Sequence, residues 1–343
     1  MLSRVADRLY WLARYLERAE DMARLINAYF QLILDLPKGD ELGWISLVDI
    51  IDGRKNYFEK FKNESERNVV KFLIADKSNF GSIRFAIKAA RENVRTTRDA
   101  LPEETWELIN ELYLYIEDNA VQAIGRRHRY EFLDVIIGHC QQIHGLIESS
   151  VSRNHTYRFL KIGQLIERSD MTSRVLDVST SSILDEEKNK TILKSVHFLW
   201  SHLLDSLSAT SAYRREIGPI IEANDALAFL MSDQTFPRSI TFCMMSIKHH
   251  LQSLTRTQNA NQRIDHIITA LTEFSSAKPP KQRISFLRLH DFIEALQVDI
   301  GLLNDAMHES WFKVATSPAS KKKDSSLTQV RSHAQSTNKS LAN

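Results

Sequence analysis

The amino-acid sequence predicts an all-α protein, a multi-helix bundle built from two duplicated halves around a pseudo-twofold axis. Two observations predict the helices: apolar residues recur at three- and four-residue spacing almost throughout, and only 10 Gly and 7 Pro interrupt the 343 residues. An internal repeat predicts the two halves. No segment shows the clear alternation of apolar and polar residues that is typical of a half-buried strand.

Helix starts and breaks can be placed along the chain in order. The first helix is expected to begin near Ser3, a good N-cap residue, and to run to the LPKGD breaker at residues 36–40. Later breaks divide the rest into about ten helices. They fall at 76–82, Leu101-Pro102, Gly125, 152–155, Gly218-Pro219, Phe236-Pro237 and 277–280. After Phe236-Pro237, Arg238 or Ser239 should enter the first turn of a helix.

Three pairs of segments repeat in the same order along the chain. "YLERAEDMAR" from Tyr15 matches "LIERSDMTSR" from Leu165 at a shift of 150 residues, with the shared pattern E-R-x-[ED]-x-x-x-R. "WISLVD" matches "WSHLLD" at a shift of 156, and "FLIADKSNFGSIRF" matches "FLMSDQTFPRSITF" at a shift of 157. Three colinear matches with a slowly growing shift predict the duplication of a multi-helix unit.

The repeat also predicts the domain organisation. Residues 1–150 form the first half and 151–314 the second half of one integrated domain, in which each half covers the apolar face of the other. Ser, Thr, Asn, Gln and Lys replace the apolar residues at 315–343. This segment is therefore expected to be a disordered polar tail.

The repeated Glu-Arg motif brings charges to the border of an apolar helix face. Glu20 and Arg24, like Asp170 and Arg174, are spaced i, i+4 with the acid first, which is the favourable order along a helix. Arg18 shares a stripe with apolar residues seven positions away, so its guanidinium should be half-buried against an aromatic ring or a partner helix.

Three interpretations of this motif remain open at the level of sequence. The charges could form an interhelical salt-bridge network that sets the packing register. They could instead converge into one pocket, where arginines hold a carboxylate or phosphate and glutamates hold an amine. They could also be solvated surface charges. The candidate residues are Glu17, Arg18, Glu20, Arg24, Glu167, Arg168, Asp170 and Arg174.

Four stretches resemble the bacterial alpha-E family: "MLSRVADRLYWLARYLERAEDMARLI", "FLIADKSNFGSIRFAIKAARENVR", "FLKIGQLIERSDMTSRVLDV" and "FLMSDQTFPRSITFC". The resemblance covers nearly all residues before the tail. It implies an all-α domain of uncharacterised biochemistry, marked by a Glu-Arg motif that is here Glu17-Arg18 and Glu167-Arg168. It also implies two partners, because alpha-E proteins are encoded beside, or fused to, a circularly permuted ATP-grasp ligase and a transglutaminase-like peptidase.

A further feature of the resemblance adds Arg91, Glu92 and Arg95, in the A-R-E-N-x-R stretch from Ala90, to the candidate site residues. This stretch occurs only in the first half, so a site that used it would be asymmetric. The equivalent residues of the second half are Lys248, His249, His250 and Gln252.

The function that follows is that of a non-catalytic accessory or peptide-binding component of a pathway that forms or trims peptide-type amide bonds. The alternative is an enzyme that uses Glu17 or Glu167 as general acid or base, which would need a raised carboxylate pKa in a closed pocket. A cavity of roughly 300 Å³ or more around the motifs would favour a ligand site. Motifs sealed and fully paired would favour a scaffold. No catalytic residue is assigned, and the oligomeric state stays open.

Composition argues against several other classes. A balance of 45 Lys+Arg against 43 Asp+Glu supplies no strong field for nucleic acid, and the "GRRHRY" cluster from Gly125 is expected to be a solvated loop. The charged N-terminus resembles neither a signal peptide nor a membrane span, and two cysteines fit a reducing compartment. We therefore expect a soluble cytoplasmic protein with no membrane partner.

No cofactor or metal is expected, because the sequence lacks a Gly-rich phosphate loop, a G-x-S-x-G elbow and an H-E-x-x-H motif. Cys140, His144 and Glu148 share one helical face, which an ordinary core helix explains. The histidine pairs His197 with His202 and His249 with His250 are expected at the surface. Four large aromatic residues recur at matched places and should anchor the core: Trp44, Tyr57, Trp200 and Tyr213.

Overall fold

The computed structural model describes residues 2–36, 43–189, 196–276 and 286–312. These residues contain helices and irregular segments but no strand, which confirms the all-α class. Residues 1–312 form one compact unit. The predicted tail at 315–343, most of the LPKGD breaker and the break at 277–280 lie outside the described residues.

The described helices up to residue 150 begin with the long helix α1. Their bounds are α1 (Ser3–Asp35), α2 (Ser46–Ile50), α3 (Arg54–Phe58), α4 (Glu66–Ile74), α5 (Ile83–Arg95), α6 (Glu103–Asn119) and α7 (Arg126–Ser150). Leu2, with extended backbone dihedrals, takes the N-cap position of α1, and no side chain caps the helix. The start near Ser3 is thus confirmed, but its role as the N-cap is wrong, since Ser3 is already helical.

The described helices after residue 150 begin with a second long helix, α8. Their bounds are α8 (His155–Asn189), α9 (Val196–Ser206), α10 (Thr210–Glu216), α11 (Ala223–Ser232), α12 (Ile240–Leu251), α13 (Gln258–Ser276) and α14 (Phe286–Met307), followed by a π-helical turn (His308–Phe312). The predicted breaks between residues 76 and 237 lie between helices, except that the last residue of the break at 152–155, His155, already opens α8. The described residues contain more helices than predicted, because α2, α3 and α10 are too short to show a period.

Helices α1 and α8 pack against each other at the centre of the unit, with α5, α7 and α9 also on α1 and with α12 and α14 on α8. Their backbones approach closely at Gly163, where an added Cβ would lie only 2.3 Å from the carbonyl oxygen of Tyr10. The absence of a side chain at Gly163 therefore permits the central helix contact.

The predicted aromatic anchors are confirmed by their burial. Trp44, Tyr57, Trp200 and Tyr213 are each at most 9% exposed. The Tyr57 ring packs edge-on against Phe72, and the Tyr213 ring packs edge-on against Phe229. These contacts join α3 to α4 and α10 to α11.

Two predictions about surface residues are wrong. The "GRRHRY" segment is not a loop: it opens α7, and Arg126 and Arg129 both pair with Glu66 across the gap to α4. His202 is buried, because its ring packs where α9 meets α1 and Nε2 lies 3.0 Å from Asp35 Oδ2. Periodicity within one helix does not reveal such partners from distant helices.

The other three histidines of the two predicted surface pairs have different surroundings. His249 is exposed and His250 is partly buried against the Tyr157 ring, while the side chain of His197 lies outside the described part of the chain. Among the described helices, none combines the length and the apolar composition that crossing a bilayer requires.

Candidate functional site

The two Glu-Arg motifs meet where α1 packs against α8. Arg18 donates to Glu167 from Nε at 2.5 Å and from Nη2 at 3.0 Å. Arg168 makes the same pair of bonds to Glu17, again at 2.5 and 3.0 Å. Each arginine therefore holds the carboxylate of the other motif in a bidentate pair, which is the strongest form of ion-paired hydrogen bonding.

Both arginines also hold a backbone corner that precedes a helix. Arg18 Nη1 donates to the Phe80 carbonyl at 3.4 Å, just before α5, and Arg168 Nη1 donates to the Pro237 carbonyl at 3.3 Å, just before α12. The two carbonyls are 157 positions apart, which is the shift of the third sequence repeat. The motif thus joins four segments of the chain at two equivalent corners.

A second pair of side chains completes the carboxylate contacts. Arg14 donates from Nε to Glu167 at 2.7 Å, and Gln164, 150 positions later, donates from Nε2 to Glu17 at 2.9 Å. Arg14 also donates to Asn304 at 2.6 Å. Arg14 and Gln164 were not among the predicted site residues, although their separation by the repeat shift of 150 was a signal that could have found them.

Burial and charge determine the ionisation of the two glutamates. Glu17 is 0% exposed and Glu167 is 3% exposed. Burial alone would raise the pKa of Glu167, but the charges of Arg18 and Arg14 outweigh it and lower that pKa to about 2. Burial likewise opposes the lowered pKa of Glu17, which Arg168, Arg238 and His144 bring about. Both carboxylates are therefore ionised and hydrogen-bonded at neutral pH.

A family model described as a predicted alpha-helical domain with a conserved ER motif matches residues 1–312. The chain belongs to the Alpha-E family. The dipeptides Glu17-Arg18 and Glu167-Arg168 fit the ER motif of that description. No curated protein and no solved structure matches the chain.

In this Alpha-E protein, Arg238 adds a positive charge on one side of the motif only. It is 7% exposed and bonds Asp21 at 2.5 Å and Glu20 at 3.1 Å, and it lies 3.2 Å from Glu17. The position 157 residues earlier is Gly81, so the first half offers no such arginine. Arg238 was predicted only as part of a helix start, and its place in the charged cluster was not predicted.

Asp21 is the least compensated carboxyl group of the cluster. It is 2% exposed, and its Oδ2 has no hydrogen-bond partner among the described residues. Burial raises its pKa to about 7, against the lowering effect of Arg238 and with the help of the charges on Glu17 and Glu20. One arginine shared by three carboxylates does not hold all three ionised.

The predicted helical ion pairs are confirmed. Arg24 donates to Glu20 at 2.9 and 3.0 Å, and Arg174 donates to Asp170 at 2.9 Å. The half-burial of Arg18 is also confirmed, since its side chain is 20% exposed between α8 and the ring of Tyr15. These pairs extend the charged cluster along α1 and α8.

The A-R-E-N-x-R residues form a second cluster at the far end of α5. Arg91 donates to Asn110 of α6 at 2.8 Å, and its guanidinium lies over the rings of Trp106 and Tyr113. Arg95 donates to Glu92 at 3.0 Å on the protein surface. Arg91 lies roughly 12 Å along the helix axis from the start of α5, so these residues do not join the Glu-Arg motifs.

One group of side chains has the spacing of a metal site. Ligand atoms of Glu17, Glu20 and His144 lie within 4.8 Å of one another. Arg168 and Arg238 already neutralise Glu17, and a divalent cation would have to approach both guanidinium groups, which disfavours metal binding. Among the described residues, Cys140 and Glu148 do not join His144 in such a group, and Glu148 instead accepts a hydrogen bond from the Tyr157 hydroxyl.

A small polar cleft adjoins this cluster. It encloses about 220 Å³, open solvent included, and its polar lining consists of His144, Glu148, Lys161 and Gln164. Lys161 donates to Gln164 at 2.8 Å and lies 3.5 Å from Glu148. Burial lowers the pKa values of both Lys161 and His144. The cleft therefore gathers groups that can exchange protons, beside the glutamates of the motif.

Proposed function

We propose that this Alpha-E protein is a non-catalytic accessory component of a pathway that contains an ATP-grasp ligase and a transglutaminase-like protein. In this proposal its ER motifs are a structural clamp between two duplicated halves, residues 1–150 and 151–314, related by a pseudo-twofold axis. The observation that carries the proposal is the reciprocal pairing of Arg18 with Glu167 and of Arg168 with Glu17. The pathway itself rests on the resemblance of the sequence.

Recurring contacts around the helix starts support the duplication. Asp76 accepts hydrogen bonds from the backbone N–H groups of Ser78 and Asn79, and 157 positions later Asp233 accepts from those of Thr235 and Phe236. The hydroxyls of Ser82 and Ser239 then donate to the Asp76 and Asp233 carbonyls and cap α5 and α12. Matching details at a constant shift are what two copies of one unit would retain.

The electrostatics support a structural role for the motif. A general acid needs a proton at working pH, whereas the pKa values of Glu17 and Glu167 lie below their ordinary range. A buried ion pair is tolerable only when its donors and acceptors are satisfied, and here arginines and Gln164 bond both carboxylates. A peptide ligand would therefore bind at a surface other than these buried glutamates.

Reconstitution tests this proposal. The full chain is mixed with the purified ATP-grasp ligase and transglutaminase-like protein of the same genome, and complex formation and reaction rates are measured. We expect a stable complex and a change in ligase or peptidase rate, with no turnover by the chain alone. If no complex forms, the pathway assignment is wrong. If the chain alone turns over a substrate, the non-catalytic role is wrong.

An enzyme is the second candidate, and the polar cleft rather than the ER motif favours it. Lys161, Glu148 and His144 lie together there, and a lysine with a lowered pKa can act as a base or nucleophile. If the chain alone turns over a peptide substrate, Lys161→Met should abolish that turnover while leaving the melting temperature unchanged. Retained turnover in this variant would exclude the cleft as the active site.

A further inference from the structure

A second cleft lies farther along the contact between α1 and α8, where α2 and α9 cover it. It holds about 520 Å³ of space, open solvent included. Leu25 directly follows Arg24 in α1, and Val175 directly follows Arg174 in α8, so the cleft begins beside the charged cluster. Its apolar lining includes Leu25, Leu32, Ile50, Val175, Leu199 and Leu203.

His202 lines this cleft and carries one buried nitrogen without a hydrogen-bond partner among the described residues. Its side chain is 10% exposed, and Nε2 lies 3.0 Å from Asp35 Oδ2, so Nε2 carries the proton that Asp35 accepts. Nδ1 is buried and has no hydrogen-bond partner among the described residues, since the nearest carboxylate oxygen, on Asp205, is 4.0 Å away. In the neutral imidazole this nitrogen is an unused hydrogen-bond acceptor.

Three of the four other polar side chains that line the cleft already use their donors inside the protein, and Ser179, the fourth, adds a hydroxyl. The hydroxyls of Tyr29 and Ser46 donate to the Gly43 carbonyl, and that of Ser206 donates to the Leu203 carbonyl. Ser179 does not bond Nδ1 of His202 either, because that nitrogen has no hydrogen-bond partner among the described residues, so the acceptor is left to an incoming group. A bound molecule would have to supply a hydrogen-bond donor and an apolar body, because burying an unpaired acceptor is costly.

We propose that this cleft binds a small neutral molecule with an apolar body and one N–H or O–H donor, which bonds Nδ1 of His202. Asp35 acts as a positioning residue that fixes the proton on Nε2. This site is independent of the accessory role proposed above, because it uses none of the Glu-Arg residues and predicts binding by the chain alone.

Two probes of the same shape test the proposal. Indole carries an N–H donor, whereas indene has the same bicyclic frame without it. Calorimetric titration of the full chain is run at pH 8, above the ordinary pKa of histidine. We expect the chain to bind indole about three- to tenfold more tightly than indene, as one gained hydrogen bond implies. In a purely apolar cleft, indene should bind more tightly than indole, because indene has no polar group that must lose its hydration.

Two histidine variants locate the acceptor. His202→Phe keeps an aromatic ring in the cleft but removes Nδ1, so the preference for indole should disappear. His250→Phe is the matched control, because Nδ1 of His250 is also buried without a partner but lies outside this cleft. Circular dichroism confirms that each variant is folded. If His202→Phe fails to fold, the affinities of the wild type for indole and indene still test whether the cleft supplies a hydrogen-bond acceptor.

Three results would overturn the proposal. The first is binding of neither probe up to its solubility limit. The second is equal or tighter binding of indene by the wild type. The third is an indole preference that survives in folded His202→Phe or is lost in folded His250→Phe.

Discussion

At the scale of single residues, the cluster contains carboxyl groups with opposite behaviour. Glu167 is surrounded by two arginines and stays ionised, whereas Asp21 shares one arginine with two other carboxylates and holds its proton more tightly. Both are almost fully buried, so the number of nearby cations rather than burial separates them. This difference leads to two predictions with opposite signs.

The first prediction concerns the loss of one buried charge. Glu167→Gln leaves Arg14 and Arg18 without their counter-charge and should lower the free energy of unfolding by about 3–5 kcal/mol at pH 7. Urea denaturation at pH 7 measures this loss of free energy of unfolding. Glu92→Gln is the matched control, since Glu92 is half-exposed beside Arg95, and it should cost at most about 1 kcal/mol. Equal effects of the two changes would contradict a clamp.

Lowering the pH should reduce the difference in the free energy of unfolding between the wild type and Glu167→Gln. The folded-state pKa of Glu167 is about 2, below its ordinary value of 4.5. A lowered pKa contributes stability that is fully present above the unfolded value and is lost as pH falls toward the folded value. Unfolding curves between pH 6 and pH 2 should therefore converge for these two proteins.

The second prediction is that Asp21→Asn changes stability in the opposite direction from Glu167→Gln. The folded-state pKa of Asp21 is about 7, above its ordinary value of 3.8, so its contribution to stability is lost as pH rises through 7. The variant should be more stable than the wild type at pH 8, and its advantage should shrink as pH falls toward 4. Thermal unfolding across that range provides the measurement. A variant less stable than the wild type at pH 8 would show that Asp21 is held ionised.

At the scale of helices, the long elements were predictable and the short ones were not. Helix α1 has the predicted start, and breaks such as Leu101-Pro102 and Gly125 lie directly before α6 and α7. Proline and glycine act locally through their own backbone, so their effect appears in the sequence. Helix α2 has only five residues, and its stability comes from packing, which local pattern does not record.

The third prediction addresses the contact between α1 and α8. Gly163→Ala would place a Cβ 2.3 Å from the Tyr10 carbonyl oxygen, so the two helices must move apart and the free energy of unfolding should fall by about 1–3 kcal/mol. Gly138→Ala in α7 is the matched control, because its Cβ would meet nothing within 4 Å. Higher helix propensity should stabilise that variant by about 0.5–1 kcal/mol. Urea denaturation measures the change in the free energy of unfolding for both variants. A change of the same sign in both would contradict the close approach of the two helices.

At the scale of the whole molecule, the two central helices should make unfolding cooperative. Each helix carries one partner of the Arg18–Glu167 pair and one of the Arg168–Glu17 pair, and both contribute to the same apolar core. Neither set of helices therefore keeps its core when the other unfolds. The clamp therefore links regions more than a hundred residues apart.

The fourth prediction follows from this linkage. Scanning calorimetry of the full chain should give one unfolding transition whose calorimetric and van't Hoff enthalpies agree. Glu167→Gln should lower the midpoint without splitting the transition. Two resolved transitions in the wild type would mean that the regions before and after residue 150 fold independently.

About half of the charged cluster could be predicted. Glu17, Arg18, Glu167 and Arg168 were recognised because they repeat, and the Glu20–Arg24 pair because i, i+4 spacing is local. Arg238 was missed because its first-half counterpart is Gly81 and its partners are more than 200 residues away. The burial of His202 was missed for the same reason, since Asp35 belongs to a distant helix.

The sequence by itself determined the all-α class, most helix breaks, the aromatic anchors and the family, because these depend on periodicity, backbone preference and residue order. Only the tertiary structure decided that each Glu-Arg motif pairs with the other, that Asp21 and Arg238 join them, and that a cleft lies beside rather than around the motif. Such features depend on which faces of distant helices meet. That outcome is set by packing of the whole chain, and no local stretch of residues specifies it.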